Sequence, residues 1–198
     1  MTQSPRLYIL GGSCSGVSTL GQSLSAHLRV PQLDVDSFYW LPTDPPFTTK
    51  RPPEDRVRMI QAEQARTDGW ILSGSFIGWG EALVEDVDMI IYVYTPTEVR
   101  MQRLDAREAQ RHGSRILPGG DMHLAHLAFR DWASHYDDPA FSGRNRAQHE
   151  GWLDTLSVPV LRLDGAQDQA ALLDAVVREL SSVRAGNPLR EKQAGSMS

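Results

Sequence analysis

Residues 6–19 read RLYILGGSCSGVST, and the fold follows from how this stretch divides. The apolar run at 6–10 ends in glycines and has no helical period, as a buried strand does. Gly11 and Gly16 stand at the spacing of G-x-x-x-x-G-K-[ST], with Ser18 in the last position. From Ser18 to about Arg29, the residues Leu20, Leu24 and Leu28 repeat on one helical face. Strand, glycine-rich turn and helix form the context in which this spacing reads as a phosphate cradle. Glycines let successive N–H groups face inward, and the helix start adds unpaired donors and a positive dipole end. The expected nucleotide-contacting residues are therefore Gly11, Gly12, Ser13, Cys14, Ser15, Gly16, Val17, Ser18 and Thr19. Ser18 or Thr19 offers a hydroxyl to Mg2+. A glycine-rich turn without a ligand is the alternative, and the flanking strand and helix argue against it.

Val17 stands where such a loop carries lysine. That lysine bridges the terminal phosphates and neutralises charge during transfer. Its loss costs on the order of 10²–10³ in rate if nothing replaces it. The loop thus supports phosphate binding more firmly than turnover. The chain has two lysines, Lys50 and Lys192, against eighteen arginines. Any replacement charge must come from Lys50, an arginine or backbone groups.

Working outward, further strands are expected at 31–36, 70–76, 88–94 and 158–165. Helices are expected at 53–69, 96–113, from an Asp121 cap to about Tyr136, around 146–155, and at 166–183. Residues 37–53, rich in Pro, Thr and aromatics, read as a long irregular loop. Strands alternating with helices imply an α/β fold with a parallel sheet covered on both faces. One domain is expected over 1–183, with a lid at about 112–120 and a disordered tail at 184–198.

Asp34 and Asp36 lie two apart at the end of the second strand, so an extended chain puts both carboxylates on one side. Ligands of open α/β sheets bind at the carboxyl ends of the strands. There the pair can hold Mg2+ through water or take a proton from an acceptor hydroxyl. We assign Asp34 with Ser18 to the metal side and Asp36 to the acceptor side; the competing reading is that one of them caps the next turn. Trp40 and Trp79 are candidate walls of an acceptor pocket. Ser73 and Ser75 occupy the third-strand end where many such proteins place a carboxylate. Arg100, Arg103, Arg107 and Arg111 form a stripe at helical spacing, and Arg115 follows in the expected lid. Arg103 and Arg107, then Arg115, are the candidates to meet donor phosphates. Cys14 reads either as a thiol activated by loop N–H groups or as a small filler.

The net charge of -5 disfavours nucleic acid and anionic membranes as partners. No apolar run approaches a membrane span, and MTQSPR leads straight into the first strand without a signal-peptide pattern. One cysteine permits no internal disulfide, so a reducing cytoplasm is the simplest compartment.

The segments GGSCSGVSTLG, LDVDSFYW, DGWILSGS, DMIIYVYTPTEVRMQRLDARE and VPVLRLDG, in this order over roughly 6–165, resemble the adenylate-kinase-type P-loop small-molecule kinases. The nearest branch is the adenylate-kinase-like or topology-modulation-protein-like one, some members of which lack the loop lysine. The resemblance implies the three-layer P-loop NTPase fold with strand order 2-3-1-4-5 and a lid after the fourth strand. It implies phosphoryl transfer from ATP to a small hydroxylated or phosphorylated acceptor with Mg2+. A monomer or homodimer is expected. The paired Asp after strand two is similar to that of shikimate-kinase-type enzymes. SGS replaces the Asp-Gly of true adenylate kinases, which argues against AMP as acceptor. A pseudo-kinase that binds nucleotide without turnover is the second reading, and a protein that keeps only the fold is the third.

Overall fold

The computed structural model describes residues 4–186. Five strands, β1 (Arg6–Gly11), β2 (Gln32–Asp34), β3 (Trp70–Ser73), β4 (Met89–Tyr94) and β5 (Val160–Asp164), form one parallel sheet in the order β2-β3-β1-β4-β5. Apart from Arg6 at the start of β1, the central strands are formed of apolar and aromatic residues because they are buried on both faces. Alternate residues serve opposite layers. Tyr8, Leu10, Ile90 and Tyr92 join Ile60, Phe76 and Leu153 on one side. Leu7, Ile9, Ile91 and Val93 join Leu20, Leu24, Leu172 and Val176 on the other.

Among the described residues there are seven helices: α1 (Val17–Leu28), α2 (Val35–Tyr39), α3 (Pro53–Gln64), α4 (Thr97–His112), α5 (His123–Ser134), α6 (Arg146–Leu153) and, after the last strand, α7 (Gln169–Gly186). The expected tail partly continues α7, and residues 187–198 lie outside the described residues. No helix among the described residues is long and apolar enough to cross a membrane.

Four expectations need correction here. The second strand stops at Asp34, because that residue caps α2 instead of continuing the extended chain. The 37–53 segment is less irregular than its composition predicts. Trp40 pairs with Lys50 in an antiparallel bridge, and Leu41 N–H donates to Thr49 O and Arg51 N–H to Tyr39 O. The expected lid is also folded locally. Residues 113–116 make a 3-10 turn that buries Ile116, and Met122 N–H donates back to Arg115 O at 3.0 Å. Asp121 does not cap α5, since its carboxylate is taken by Arg115.

The chain leaves β1 to one side for β2 and returns on the other for β4. This reversal opens a crevice beyond the carboxyl ends of the strands. Gly12–Gly16, Asp34–Asp36, Gly74–Ser75, Thr95 and Gly165 all follow strand ends there.

Candidate active site

The loop after β1 is held from beneath. Cys14 (φ 63°) and Gly16 (φ 104°) both adopt the left-handed region, and between them Ser15 turns inward. Ser15 N–H donates to Gly12 O at 3.1 Å, and Ser15 O accepts from the Thr95 hydroxyl at 3.0 Å. A Cβ at Gly165 would lie 2.1 Å from Thr95 Oγ1 and 2.6 Å from Ser15 O, so glycine there lets the end of β5 close on the loop.

Within 11–19 the roles separate. Gly11 and Gly12 are packing positions: a Cβ on Gly11 would meet Val93 O at 2.3 Å, and one on Gly12 the Tyr136 ring at 3.0 Å. Ser13, Cys14 and Gly16 are half-buried at the rim, and Ser18 and Thr19 are exposed. Val17 is 8% exposed and packs with Leu7, Ile9, Leu20 and Val93 in the core beneath α1. Its side chain is therefore no ligand contact, and only its N–H faces the helix start. Burial raises the Cys14 thiol above its ordinary range, with Arg107 opposing, which argues against an activated thiol.

The two carboxylates do not project side by side from an extended chain. Asp34 accepts the Asp36 N–H at 3.0 Å through Oδ1, as an N-cap, and its Oδ2 accepts the Ser18 hydroxyl at 2.9 Å. Capping and site geometry are thus one arrangement, since the cap turns the second oxygen toward the phosphate loop. Thr19 makes no such contact. Asp36, in the first turn of α2, keeps solvent contact. Its carboxyl is nevertheless raised above the ordinary range, first by desolvation and then by the Asp34 carboxylate.

A cavity of about 370 Å³ opens beside Asp36, lined also by Ser37, Trp40, Thr43, Phe47 and Arg51. Trp40 is a wall, as expected, with Phe47 edge-on to it at 6.0 Å. Trp79 is not; it packs on Phe76 and Tyr39 under the Arg56 guanidinium. Lys50 lies 5.8 Å from the Tyr39 ring centre.

The arginine stripe divides. Arg100 is fully buried and donates to Thr95 O, Ser13 O and Ala133 O, with its guanidinium 4.8 Å from the Tyr136 ring centre. It is a framework residue of the loop. Its phase with Leu104 and Glu108 on the inward face of α4 was the available signal. Arg103 Nη1 reaches Ser15 O at 3.5 Å and lies beside Gly16. Arg107 is paired with Glu108 at 3.0 Å, and its field reaches Cys14 and Asp36. Arg115 donates to Asp121 at 2.6 Å and to Asp44 at 2.8 Å, which ties the 113–122 segment to the rim of the acceptor side. It is brought to the acceptor loop and not to the phosphate loop.

Sequence reading missed a buried polar chain beside the loop. Tyr92 and Tyr136 share a hydrogen bond at 3.0 Å, Tyr136 meets His149 Nδ1 at 2.7 Å, and His149 Nε2 meets Ser75 at 3.2 Å. Burial, aided by Arg144, pushes His149 down to about 3, so its ring is neutral and pairs on both nitrogens. The bonded pairs lie 44, 13 and 74 positions apart and on separate elements, and no local pattern links them.

The chain is 38% identical over 176 residues to the Bacillus subtilis (strain 168) protein described as "Uncharacterized protein YqaC", covering 89% of this chain and 97% of that one. The chain belongs to the YqaC family. No protein-family model matches it. Solved structures similar to this YqaC-family chain are P-loop small-molecule kinases. They include a shikimate kinase from Bacteroides thetaiotaomicron (TM-score 0.54, 14% identity, 89% of this chain and 98% of that one). A sugar kinase from Janibacter sp. HTCC2649 has TM-score 0.52 and 16% identity, over 90% and 95% of the two chains. A gluconokinase from Sinorhizobium meliloti 1021 has TM-score 0.51 and 14% identity, over 94% and 97%. At these identities the likeness shows the fold, a parallel five-stranded sheet covered by helices.

Proposed function

We propose that this YqaC-family protein transfers a phosphoryl group from ATP to a small hydroxylated acceptor, as a single-domain cytoplasmic kinase. The observation that carries the reading is the contact between Ser18 and Asp34 at the mouth of the loop, with Asp36 and its cavity next to it. The similar solved structures, titled shikimate kinase, sugar kinase and gluconokinase, support a small hydroxylated acceptor.

The loop N–H groups and the start of α1 would bind the donor phosphates. Mg2+ fits Ser18 and Asp34, two hard oxygen donors already in contact; no group of three or more metal-ligating side chains gathers among the described residues, so phosphates and water complete its shell. When bound, the ion neutralises charge on the donor phosphates. Asp36 would accept the acceptor's hydroxyl proton as the new O–P bond forms and the bond to ADP breaks. Its raised carboxyl makes it a better base than an ordinary aspartate. Trp40 and Phe47 offer ring faces to an acceptor's C–H surface. Arg103 stands beside the loop, and the 113–122 segment would act as the lid.

A second reading, nucleotide binding without turnover, is favoured by Val17 lying in the core. Calorimetry with ATP and ADP, with and without Mg2+, followed by a screen of sugars, nucleosides and hydroxy acids for ADP release, tests both. Binding with turnover selects the kinase, and binding alone across a broad panel selects the second reading. Failure to bind at millimolar nucleotide overturns both.

A further inference from the structure

The cavity beside Asp36 is lined by one carboxylate and one guanidinium. Asp36 carries the negative charge and Arg51 the positive one, with Trp40, Pro46 and Phe47 among the apolar wall between them. The two do not pair. Arg51 has no carboxylate within ion-pair distance among the described residues. Lys50, its neighbour in sequence, lies toward the Tyr39 ring and is not part of the lining.

Arg51 is held by its backbone and by part of its side chain. Its N–H donates to Tyr39 O at 2.8 Å, and its carbonyl accepts from Arg56 Nε at 2.6 Å. Arg56 is itself buried, with its guanidinium 3.9 Å from the Tyr39 ring centre. Arg51 Nε donates to Phe38 O at 3.1 Å. Phe38 and Asp36 both belong to α2, so one short helix carries the carboxylate and anchors the guanidinium. The Trp40–Lys50 bridge closes the loop that walls the cavity. With Nε taken, the two terminal nitrogens of Arg51 are left without an acceptor among the described residues. A guanidinium fixed in this way can grip two oxygens of a carboxylate or phosphate at once.

The rest of the lining offers little to a neutral polyol. Thr43 Oγ1 is already engaged with Pro45 O and Thr48 Oγ1. Ser37 is the remaining hydroxyl of the lining. A polyol in this cavity would bury hydroxyls that find no partner, which costs free energy for each of them. It would also displace water from Arg51 and return no charge. An acceptor that carries an oxyanion would meet Arg51 through charge-assisted bonds and present its hydroxyl to Asp36.

We infer that Arg51 anchors an oxyanion of the acceptor, so that the acceptor is a hydroxylated carboxylate or phosphate and not a neutral sugar or nucleoside. The inference rests on the kinase reading above and narrows its substrate class. Both anions offer the guanidinium the same paired oxygens, and the experiment separates them.

The test is calorimetric titration of the full chain saturated with Mg·ADP, so that no transfer occurs. The probes are glycerate, glycerol phosphate and gluconate, beside the neutral counterparts glycerol and sorbitol. Wild type, Arg51→Gln and Arg51→Lys are compared, with a melting curve for each. We expect an anionic probe to bind about ten-fold or more tightly than its neutral counterpart, the range for a charge-assisted bond, and glycerate against glycerol phosphate tells which anion is preferred. Arg51→Gln should lower that preference by roughly ten- to a hundred-fold, and Arg51→Lys should retain more of it because the charge remains. A merely structural role would weaken anionic and neutral probes together, and that result overturns the assignment. A neutral counterpart bound as tightly as its acid overturns it too, as does Mg·ADP binding with no probe bound. If Arg51→Gln does not fold, Arg51→Lys decides: loss of the fork should lower the preference by about three-fold or more, and an unchanged preference overturns the assignment. Wild type that binds no nucleotide overturns this inference together with the kinase reading, whereas nucleotide binding without a preference for acids overturns only this one.

Discussion

Restoring the missing lysine is the most direct perturbation of this site, and the structure gives it an unexpected outcome. Val17 is 8% exposed and sits among Leu7, Ile9, Leu20 and Val93. Replacing it with lysine forfeits about 1.5–3 kcal/mol of apolar burial. It also brings an ammonium into the core, with an effective penalty of several kcal/mol after relaxation. The sum, about 4–6 kcal/mol, is comparable to the whole stability of a marginal domain. Val17→Ala, by comparison, removes two methyl groups and should cost about 2 kcal/mol. The lysine deficit has a pH signature. A buried ammonium has a folded pKa below its unfolded value of about 10.4, so the unfolded chain binds more protons between the two values. Stability of Val17→Lys relative to wild type should therefore rise with pH toward about 10, which no apolar substitution would reproduce. Urea unfolding of wild type, Val17→Ala and Val17→Lys at several pH values measures this, with ATP titration alongside. A Val17→Lys protein as stable as wild type, with tighter ATP binding, would refute the reasoning. It would mean that this side chain faces the phosphates and does not belong to the core.

Three further predictions follow from the same geometry. Asp34→Asn should keep the cap on Asp36 N–H, because asparagine caps as well as aspartate, and should lose the Mg2+ dependence of ATP binding; Asp34→Ala should also lose about 1 kcal/mol in urea unfolding. Asp36→Asn should abolish ADP release with an acceptor while ATP affinity, read by calorimetry, changes less than about two-fold. Because the Asp36 carboxyl is raised, turnover should fall with acidification at a pH above the ordinary aspartate range, and a pH–rate profile with no acidic limb would count against Asp36 as the base. His149 has its folded pKa lowered to about 3 against an unfolded value near 6.5, so its contribution is complete above 6.5 and is lost as pH falls toward 3. Its share between pH 6.5 and 5 is about 2 kcal/mol, and His149→Gln should flatten the urea-unfolding profile over that interval.

What could be read locally was read correctly for the frame. The run at 6–10, the glycines after it and the repeating leucines at 20, 24 and 28 lie within two dozen residues. Strand, turn and helix depend on periodicity and backbone freedom at that range. The five-stranded order was reached through resemblance to known kinases, and the sheet has that order. The Asp34 cap shows where local reading stops: both extended and capped conformations suit the letters LDVD. Only the proximity of Ser18, brought by α1 packing over β3, makes the capped form also a site contact.

The arginines show the same limit more sharply. Spacing placed Arg100, Arg103, Arg107 and Arg111 on one helix, but which of them is buried, paired or open depends on what packs against α4. Arg100 turned into the frame, and Arg115 met Asp44, 71 positions away. The sequence by itself determined a strand, a glycine loop and a helix, with valine where a phosphate loop carries lysine. Tertiary structure decided that Val17 belongs to the core and which arginines are buried or paired, because burial and charge pairing are set by segments that meet only when the sheet has formed.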